Sequence, residues 1–174
     1  MTFFNRLITW AFSGRRPLLF WPRAHFDEVI SELDRRGTRK HEAGAFLLGE
    51  QRGISRVVTD VVYYDDLDPH AYDTGICILR SASFSKLWGI CRERGLIVVA
   101  DAHTHGGNAW QSGSDKANPM VAQKGHIAVI VPHFAVAPIS PNALGLYEYQ
   151  GNHMWTDYSG RKWKQCLSFK GSSK

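Results

Sequence analysis

Two histidines separated by one residue mark the part of the chain that is best suited to chemistry. His103 and His105 follow the apolar run Leu96–Ala100, which predicts a buried strand. Side chains at i and i+2 of a strand point to the same face, so the two imidazoles can converge on one point. Asp115 follows and supplies a carboxylate. Two neutral imidazoles and one carboxylate suit zinc and leave a fourth position open for water, so the pattern predicts one catalytic Zn²⁺ ion.

A zinc hydrolase also needs a proton carrier and a hydrogen-bond donor for the carbonyl oxygen. Zinc lowers the pKa of a bound water to about 7, which makes a nucleophile available at neutral pH. Glu42 is the candidate general acid/base, because it directly precedes the predicted core strand Ala43–Gly49, where a carboxylate is unusual unless paired or functional. Ser112 stands three residues before Asp115 and is the candidate donor to the carbonyl oxygen.

Each of these residues also has a purely structural interpretation. Two histidines by themselves are compatible with exposure at a strand edge, and Glu42 fits a surface turn. Ser112, in the context Ser-Gly-Ser-Asp, fits a helix N-cap. Trp110 fits a side chain that covers the core of the loop. The ordered combination of all these features is much more specific than two histidines alone.

The segments around these residues predict strands alternating with helices, which is typical of an α/β or α+β chain with a mixed sheet. Strands are predicted at Leu18–Trp21, Ala43–Gly49, Ile54–Tyr64, Ile76–Leu79, Leu96–Ala100, His126–Val131, Leu144–Tyr149 and Met154–Tyr158. Helices are predicted at Arg23–Arg36, at Ser83–Arg94 and in a short segment after Asp115. The second helix is expected to bury Phe84, Leu87, Trp88 and Cys91. Asp65–Gly75 is predicted to be a polar loop.

Composition narrows the class of protein. A chain of 174 residues with 44% hydrophobic and 21% charged residues predicts one globular domain. The three cysteines form no CxxC pair, which indicates a reducing, cytoplasmic location and argues against a cysteine zinc site. The net charge of +5 comes from scattered basic residues, which predicts no nucleic-acid binding and suits an acidic protein partner. No apolar run approaches the roughly 18 residues of a membrane span.

Three motifs taken together resemble the signature of the JAB/JAMM (MPN+) zinc metalloproteases. They are Glu42-Ala-Gly-Ala-Phe-Leu-Leu-Gly49, His103-Thr-His105 and Ser112-Gly-Ser-Asp115. The resemblance in element order runs from about Leu18 to Trp155 and implies a deaminase-like α/β sandwich, with a curved mixed β-sheet flanked by helices. It implies that the two histidines and the aspartate bind one zinc ion. It further implies that Glu42 is the general acid/base and that Ser112 helps to hold the oxyanion.

The resemblance also implies a substrate. Family members cleave isopeptide or peptide bonds after the C-terminus of ubiquitin or a ubiquitin-like protein, by deconjugation or by precursor processing. The loop Asp65–Gly75 falls where the family has an insertion that clamps the extended tail of the substrate as an added strand. Two features depart from the family pattern. Gly106-Gly107 follows the second histidine where a proline is usual, and the gap to Ser112 is about one residue shorter.

The part of the chain from Gly125 to Trp155 looks most like compact bacterial members of the family. Some of these are encoded beside ubiquitin-like, activating and conjugating enzymes in antiphage defence systems, so the resemblance implies these proteins as partners. Residues 1–17 are predicted to form an N-terminal extension with a short amphipathic helix, and residues 18–174 the JAB/MPN domain.

Two alternatives stay open at the level of sequence. The first is a non-catalytic MPN scaffold of the same fold, against which the complete set of ligands argues. The second is a metal-dependent hydrolase of small amides, of the nucleobase deaminase type. The absence of a PCxxC motif argues against a zinc deaminase.

Overall fold

A computed structural model describes residues 17–169, and the predicted N-terminal extension lies outside this range except for Pro17. The strands are β1 (Leu19–Phe20), β2 (Gly44–Arg52), β3 (Ser55–Tyr63), β4 (Ile97–Thr104), β5 (Ile127–Val131), β6 (Gly145–Gly151), β7 (Met154–Asp157) and β8 (Leu167–Ser168). The helices are α1 (Arg23–Gly37), α2 (Tyr64–Leu67), α3 (Ser81–Arg94), α4 (Gly113–Ala117) and α5 (Trp163–Cys166).

One mixed sheet contains the eight strands in the order β7-β6-β5-β4-β2-β3-β1-β8. β4 runs antiparallel to β2 and parallel to β5, and it has a strand on both sides from Ala100 to His103. The sheet is curled. Arg56 of β3 and Glu148 of β6 line one cavity although three strands separate β3 from β6, which a flat sheet would not allow. The result is a mixed α/β fold, as predicted, with β4 as a fixed support near the middle of the sheet.

The central strands are covered on both faces. All five residues of β5 are buried, which confirms the expectation from its unbroken apolar sequence. α1 buries Phe26, Val29, Ile30 and Leu33 at the predicted helical spacing. It continues through Gly37 and ends at Thr38, whose φ of 51° is left-handed. The predicted end of this helix is therefore one residue too early.

The buried face of α3 differs from the prediction. Ser83, Leu87 and Cys91 are buried, whereas Trp88 is 40% exposed. The three buried residues follow each other at intervals of four and define the stripe that faces the sheet. Trp88 lies one position beyond Leu87, which rotates it about 100° around the helix and away from that stripe.

The strand predicted at Ile76–Leu79 is wrong, because this segment has no regular secondary structure. Its backbone donors bond elsewhere: the N–H of Cys77 donates to the Glu42 carboxylate, and that of Ile78 donates to the carbonyl of Ala71. These N–H groups are thus satisfied by a side chain and by a nearby carbonyl, and not by a neighbouring strand as in a β-sheet.

Smaller differences concern short elements. The predicted polar loop after β3 begins with the helical turn α2, and α4 begins before Asp115 rather than after it. The short elements α5 and β8 have no counterpart in the prediction. In the described part of the chain, no helix combines the length and apolarity needed to cross a membrane.

Candidate metal centre

β4 carries the two histidines to one point, as the spacing predicts. It extends four residues beyond the predicted end, Ala100, so that His103 belongs to the strand and His105 follows directly after it. The Nε2 atoms of the two rings lie 3.1 Å apart. His103 is buried and His105 is half-buried, and both line a cleft. The pair is therefore rigidly supported and still reachable from solvent.

Asp115 reaches the histidines from α4. Its Oδ2 lies 3.4 Å from Nε2 of His105, and its Oδ1 lies 3.7 Å from Nε2 of His103. Ser112 is the N-cap of α4: its Oγ accepts from the N–H of Asp115 at 3.1 Å, and its own N–H donates to Asp115 Oδ2 at 2.7 Å. This capping box fixes the position of the carboxylate. The structural interpretation of Ser112 is thus correct, and its hydroxyl hydrogen is still available to a ligand.

The three side chains fit a metal ion. One ligand atom from each of His103, His105 and Asp115 lies within 4.8 Å of the others. Metal bonds of about 2.0–2.2 Å in a tetrahedron place ligand atoms about 3.4 Å apart. The separations of 3.1, 3.4 and 3.7 Å bracket that value. A site that offers two imidazole nitrogens and one carboxylate oxygen at this spacing implies a metal ion.

Glu42 lies beside this group without belonging to it. Its Oε1 is 4.0 Å from Nε2 of His105, and its Oε2 accepts from the N–H of Cys77 at 3.4 Å. Thr104 lies between the two histidines. It anchors Ala43, the residue that follows Glu42, through two hydrogen bonds of 2.8 and 2.9 Å. The start of β2 is therefore tied to the end of β4, and the carboxylate lies close enough to share a water molecule with the metal group.

Asp101 is a member of the site that the sequence prediction missed. Its Oδ1 is 2.6 Å from Nε2 of His126, and its Oδ2 is 3.7 Å from Nδ1 of His103. Histidine ligands commonly direct their second ring nitrogen at a carboxylate, which fixes the tautomer and the ring orientation. A usable signal existed, because Asp101, His103 and His105 alternate along one strand and therefore share a face. His126 is buried against this carboxylate.

Gly44 makes room for Tyr64, which is the fourth residue of the network formed by Asp101, His103 and His126. The hydroxyl of Tyr64 lies 3.4 Å from Asp101 Oδ2, and the Tyr64 ring lies over Gly44. A Cβ atom at position 44 would collide with that ring. Gly44 therefore opens the space through which a buried phenol reaches the carboxylate behind His103.

The electrostatics of the site favour a cation. Burial raises the pKa of Asp115, but His105 and His103 outweigh burial and hold it well below the usual carboxyl value. Burial lowers the pKa of His103, yet the Asp101 carboxylate outweighs it and raises this pKa. Among residues 17–169, no lysine or arginine forms an ion pair with Asp101, Asp115 or Glu42. The site therefore holds uncompensated negative charge that a metal ion would neutralise.

Cys77 lines the same cleft, which raises the possibility of thiol chemistry. Burial, followed by the charge of Glu42, raises the pKa of this thiol well above its usual value. A thiol that stays protonated is a poor nucleophile and a poor metal ligand. The geometry thus favours the metal group over Cys77 as the reactive part of the cleft.

The cleft has a volume of about 790 Å³ and is lined in part by apolar side chains. These include Phe84, Met120 and Trp155, together with Ile76, Ile78 and Leu79 of one segment, which forms an apolar wall. Ile76 and Ile78 are each 48% exposed, so they present apolar surface to anything that enters. Trp110 is 74% exposed, which contradicts its interpretation as a cover for the loop core. A cleft of this size and lining suits a chain-like organic ligand.

Gly106, the first of the two glycines after His105, has a structural reason. The ring of Phe134 packs on Gly106, where an added Cβ would lie 2.6 Å from Cζ of the ring. The N–H of Phe134 donates to the carbonyl of His105, and the N–H of His133 donates to that of Gly107. The loop is thus held by the segment that follows β5.

Comparison with known proteins gives one informative sequence match. The chain is 26% identical over 137 residues to a protein of Sinorhizobium fredii named Probable metalloprotease y4jG, covering 78% of this chain and 84% of that protein. No family model matches the chain. At this coarse level the match supports a metalloprotease-like family.

Solved structures support the fold. A solution structure of protein DSY2949 from Desulfitobacterium hafniense superposes with a TM-score of 0.59 at 15% identity, covering 87% of this chain and 94% of that one. A solution structure of a protein from Salinibacter ruber gives a TM-score of 0.56 at 16% identity, covering 81% and 89%. At such identities the likeness concerns the fold alone.

Proposed function

We propose that the chain is a zinc-dependent peptidase of the JAB/JAMM type, with the deaminase-like sandwich of that family. It would cleave isopeptide or peptide bonds after the C-terminus of a ubiquitin-like protein. The observation that carries the proposal is the group of His103, His105 and Asp115, with Glu42 at 4.0 Å from His105 and outside the ligand set. The S. fredii relative, whose name is that of a metalloprotease, supports the reaction class.

Zinc fits this donor set better than magnesium or calcium does. It favours imidazole nitrogen with carboxylate oxygen in a tetrahedron, and three protein ligands are typical of catalytic rather than structural zinc. Magnesium and calcium prefer oxygen ligands throughout. When bound, zinc lowers the pKa of a coordinated water to about 7 and so supplies the nucleophile at neutral pH.

Glu42 moves the proton. Its Oε1, on the His105 side, accepts the proton of the attacking water, and the same carboxylate then returns it to the leaving lysine or peptide nitrogen. The N–H of Cys77 at 3.4 Å from Oε2 holds the carboxylate in place for both transfers. Glu42 lies beside the group of His103, His105 and Asp115 without being part of it, which would leave its carboxylate free to carry a proton.

Ser112 assists at the carbonyl oxygen. The residue lies at the wall of the cleft, and its Oγ already accepts from the Asp115 N–H. A hydroxyl that accepts one hydrogen bond can still donate another, and a donor aimed at the developing oxyanion stabilises the transition state. One side chain thus positions Asp115 and stabilises the reacting carbonyl.

The apolar wall suggests how the substrate lies. An extended C-terminal tail would run along Ile76 and Ile78, next to the segment whose backbone reaches Glu42, with the polar loop before it as a clamp. The proposed partners are a ubiquitin-like protein or its conjugates and the activating and conjugating enzymes of a bacterial antiphage system. The proposed location is the cytoplasm, and no role in nucleic-acid binding is proposed.

Metal analysis combined with a cleavage assay tests the proposal. Purified protein is analysed for zinc, and cleavage is followed on ubiquitin that carries a fluorogenic C-terminal amide, with and without a chelator. One zinc per chain with chelator-sensitive cleavage is the expected result. A chain with neither zinc nor cleavage would favour the scaffold alternative. Zinc with turnover only of small amides would favour the small-amide hydrolase.

A further inference from the structure

Gln111 has a buried polar atom without a partner. The residue is only 9% exposed, and its side-chain Oε1 is fully buried. Within residues 17–169, this oxygen has no hydrogen-bond partner. An unpaired buried polar atom costs about 1–3 kcal/mol, and native structures contain few of them. Such an atom needs an explanation, and Gln111 lines the cleft beside Ser112.

The position of Gln111 is well defined by its surroundings. The hydroxyl of Tyr147 accepts from the N–H of Gln111 and donates to the carbonyl of Ala109, each at 3.3 Å. Gly145 of β6 lies directly under that carbonyl, where an added Cβ would collide. The loop is thus fixed on the sheet at both sides of Trp110, so the unpaired amide is not the product of a loosely placed segment.

We infer that Gln111 binds a backbone amide group of the substrate in the cleft. The inference rests on the proposed peptidase function and names a recognition residue for it. A carboxamide offers one acceptor oxygen and two N–H donors, which match the C=O and N–H of a peptide group. Because this oxygen is fully buried in the unliganded cleft, substrate binding includes a rotation about the last side-chain bond that brings the oxygen to the cleft wall. The apolar wall on Ile76 and Ile78 contacts substrate side chains, whereas Gln111 recognises the main chain independently of sequence.

Replacing Gln111 with an apolar residue of similar size separates recognition from structure. In Gln111→Leu, kcat/KM for the fluorogenic ubiquitin is expected to fall about tenfold, mostly through KM, because one hydrogen bond to bound substrate is lost. Zinc content is expected to stay at the wild-type level. Thermal stability is expected to stay equal or rise, because the unpaired oxygen is removed. Gln111→Met provides a second apolar shape, and Gln51→Leu, on the exposed β2–β3 hairpin, provides the control.

The outcomes are distinct. A kcat/KM within twofold of wild type, or a Tm lowered by more than about 4 °C in both Gln111 variants, overturns the inference and assigns Gln111 a structural role. A drop in zinc content would overturn it too, since Gln111 would then support the metal group. An inactive, zinc-free wild type overturns the proposed function itself. An active wild type with unaffected variants overturns only the role of Gln111.

Discussion

Two charged clusters in the molecule use similar residues for different ends. In the first, Arg36 of α1 lies 2.5 Å from Asp65, 2.8 Å from Asp66 and 2.7 Å from Glu32. In the second, the carboxylates of Asp115 and of the neighbouring Glu42 approach the imidazoles of His103 and His105 only to 3.4–4.0 Å. The first cluster is closed by direct hydrogen bonds, whereas the second leaves space at its centre.

The difference shows how a structural ion cluster can be told from a ligand site. Arg36 supplies the cation of its own cluster, and its guanidinium also lies 4.1 Å from the centre of the Tyr63 ring. In the described part of the chain, the carboxylates of the metal group have only histidines as cationic partners. A bound metal ion would supply the positive charge that the metal group lacks. Loss of one residue should therefore impair metal binding or catalysis in the metal group and lower the stability of the protein in the Arg36 cluster.

The largest effect is expected from removing a proposed ligand. Asp115→Ala should abolish cleavage and weaken zinc binding more than 100-fold, because loss of an outer-shell partner alone costs about 10–100-fold. Competition with a fluorescent chelator measures the affinity. Asp73→Ala is the matched control, since Asp73 pairs with His70 on the surface at 2.8 Å. A fully loaded Asp115→Ala protein would exclude Asp115 as a ligand.

Glu42→Gln should lower kcat by about 10²–10⁴-fold while the protein keeps one zinc per chain, because only the proton carrier is lost. Glu50→Gln, on the strand β2 that follows Glu42, should behave like wild type, since Glu50 is exposed and pairs with Arg52. Rates and zinc content are measured on the same preparations. Near wild-type turnover in Glu42→Gln would show that another group carries the proton.

Asp101→Asn should weaken zinc binding by about 10–100-fold, because an amide orients the His103 ring less firmly than a carboxylate does. Chelator competition again gives the affinity. Asp60→Asn, which alters an exposed pair with Arg94, is the control. Unchanged zinc affinity would limit Asp101 to its contact with His126.

Arg36→Met should destabilise the protein by about 2 kcal/mol and leave zinc content unchanged. The Arg36 side chain is 14% exposed, and its loss leaves three carboxylates close together without their cation. Urea unfolding measures the change. Arg52→Met, in an exposed pair, should have little effect. A large loss of zinc in Arg36→Met would mean that the two clusters are coupled.

The smallest effect concerns pH. The hydrogen bond from Arg35, and after it Arg36, lowers the pKa of Glu32 from 4.5 to about 2 despite partial burial. A lowered folded-state pKa stabilises the fold above pH 4.5, and this stabilisation disappears as the pH falls toward 2. The free energies of unfolding of wild type and Glu32→Gln, measured in urea, should therefore differ by up to about 1 kcal/mol at pH 7 and converge as pH falls. A pH-independent difference would contradict this.

Periodicity predicted most of the long elements. α1, α3 and the strands β2 to β6 occur within a few residues of their expected positions, because each has a strong apolar pattern and glycine or proline near its ends. The prediction failed at Ile76–Leu79, where an apolar run lines a cleft instead of joining the sheet. The pattern of apolar residues in the sequence does not by itself distinguish a strand from the wall of a cleft, because both can place apolar residues at alternating positions.

Sequence also predicted that Glu42, His103, His105 and Asp115 would lie together, and the structure brings them together. Their roles stay predictions. Asp101 could have been found from its alternation with His103 and His105, but its contact with His126 depends on the parallel pairing of β4 and β5, which local patterns do not encode. Gln111 was missed because an unpaired atom can be recognised only when all its neighbours are known.

The packing of Phe134 on Gly106 means that the residues allowed at each of these two positions depend on the other. A proline at position 106 brings a Cβ to 2.6 Å from the Phe134 ring, so it is excluded while that ring stays where it is. Conversely, a small residue at 134 would remove the ring that packs on Gly106. A proline at position 106 therefore fits only together with a smaller residue at position 134 or a displaced ring.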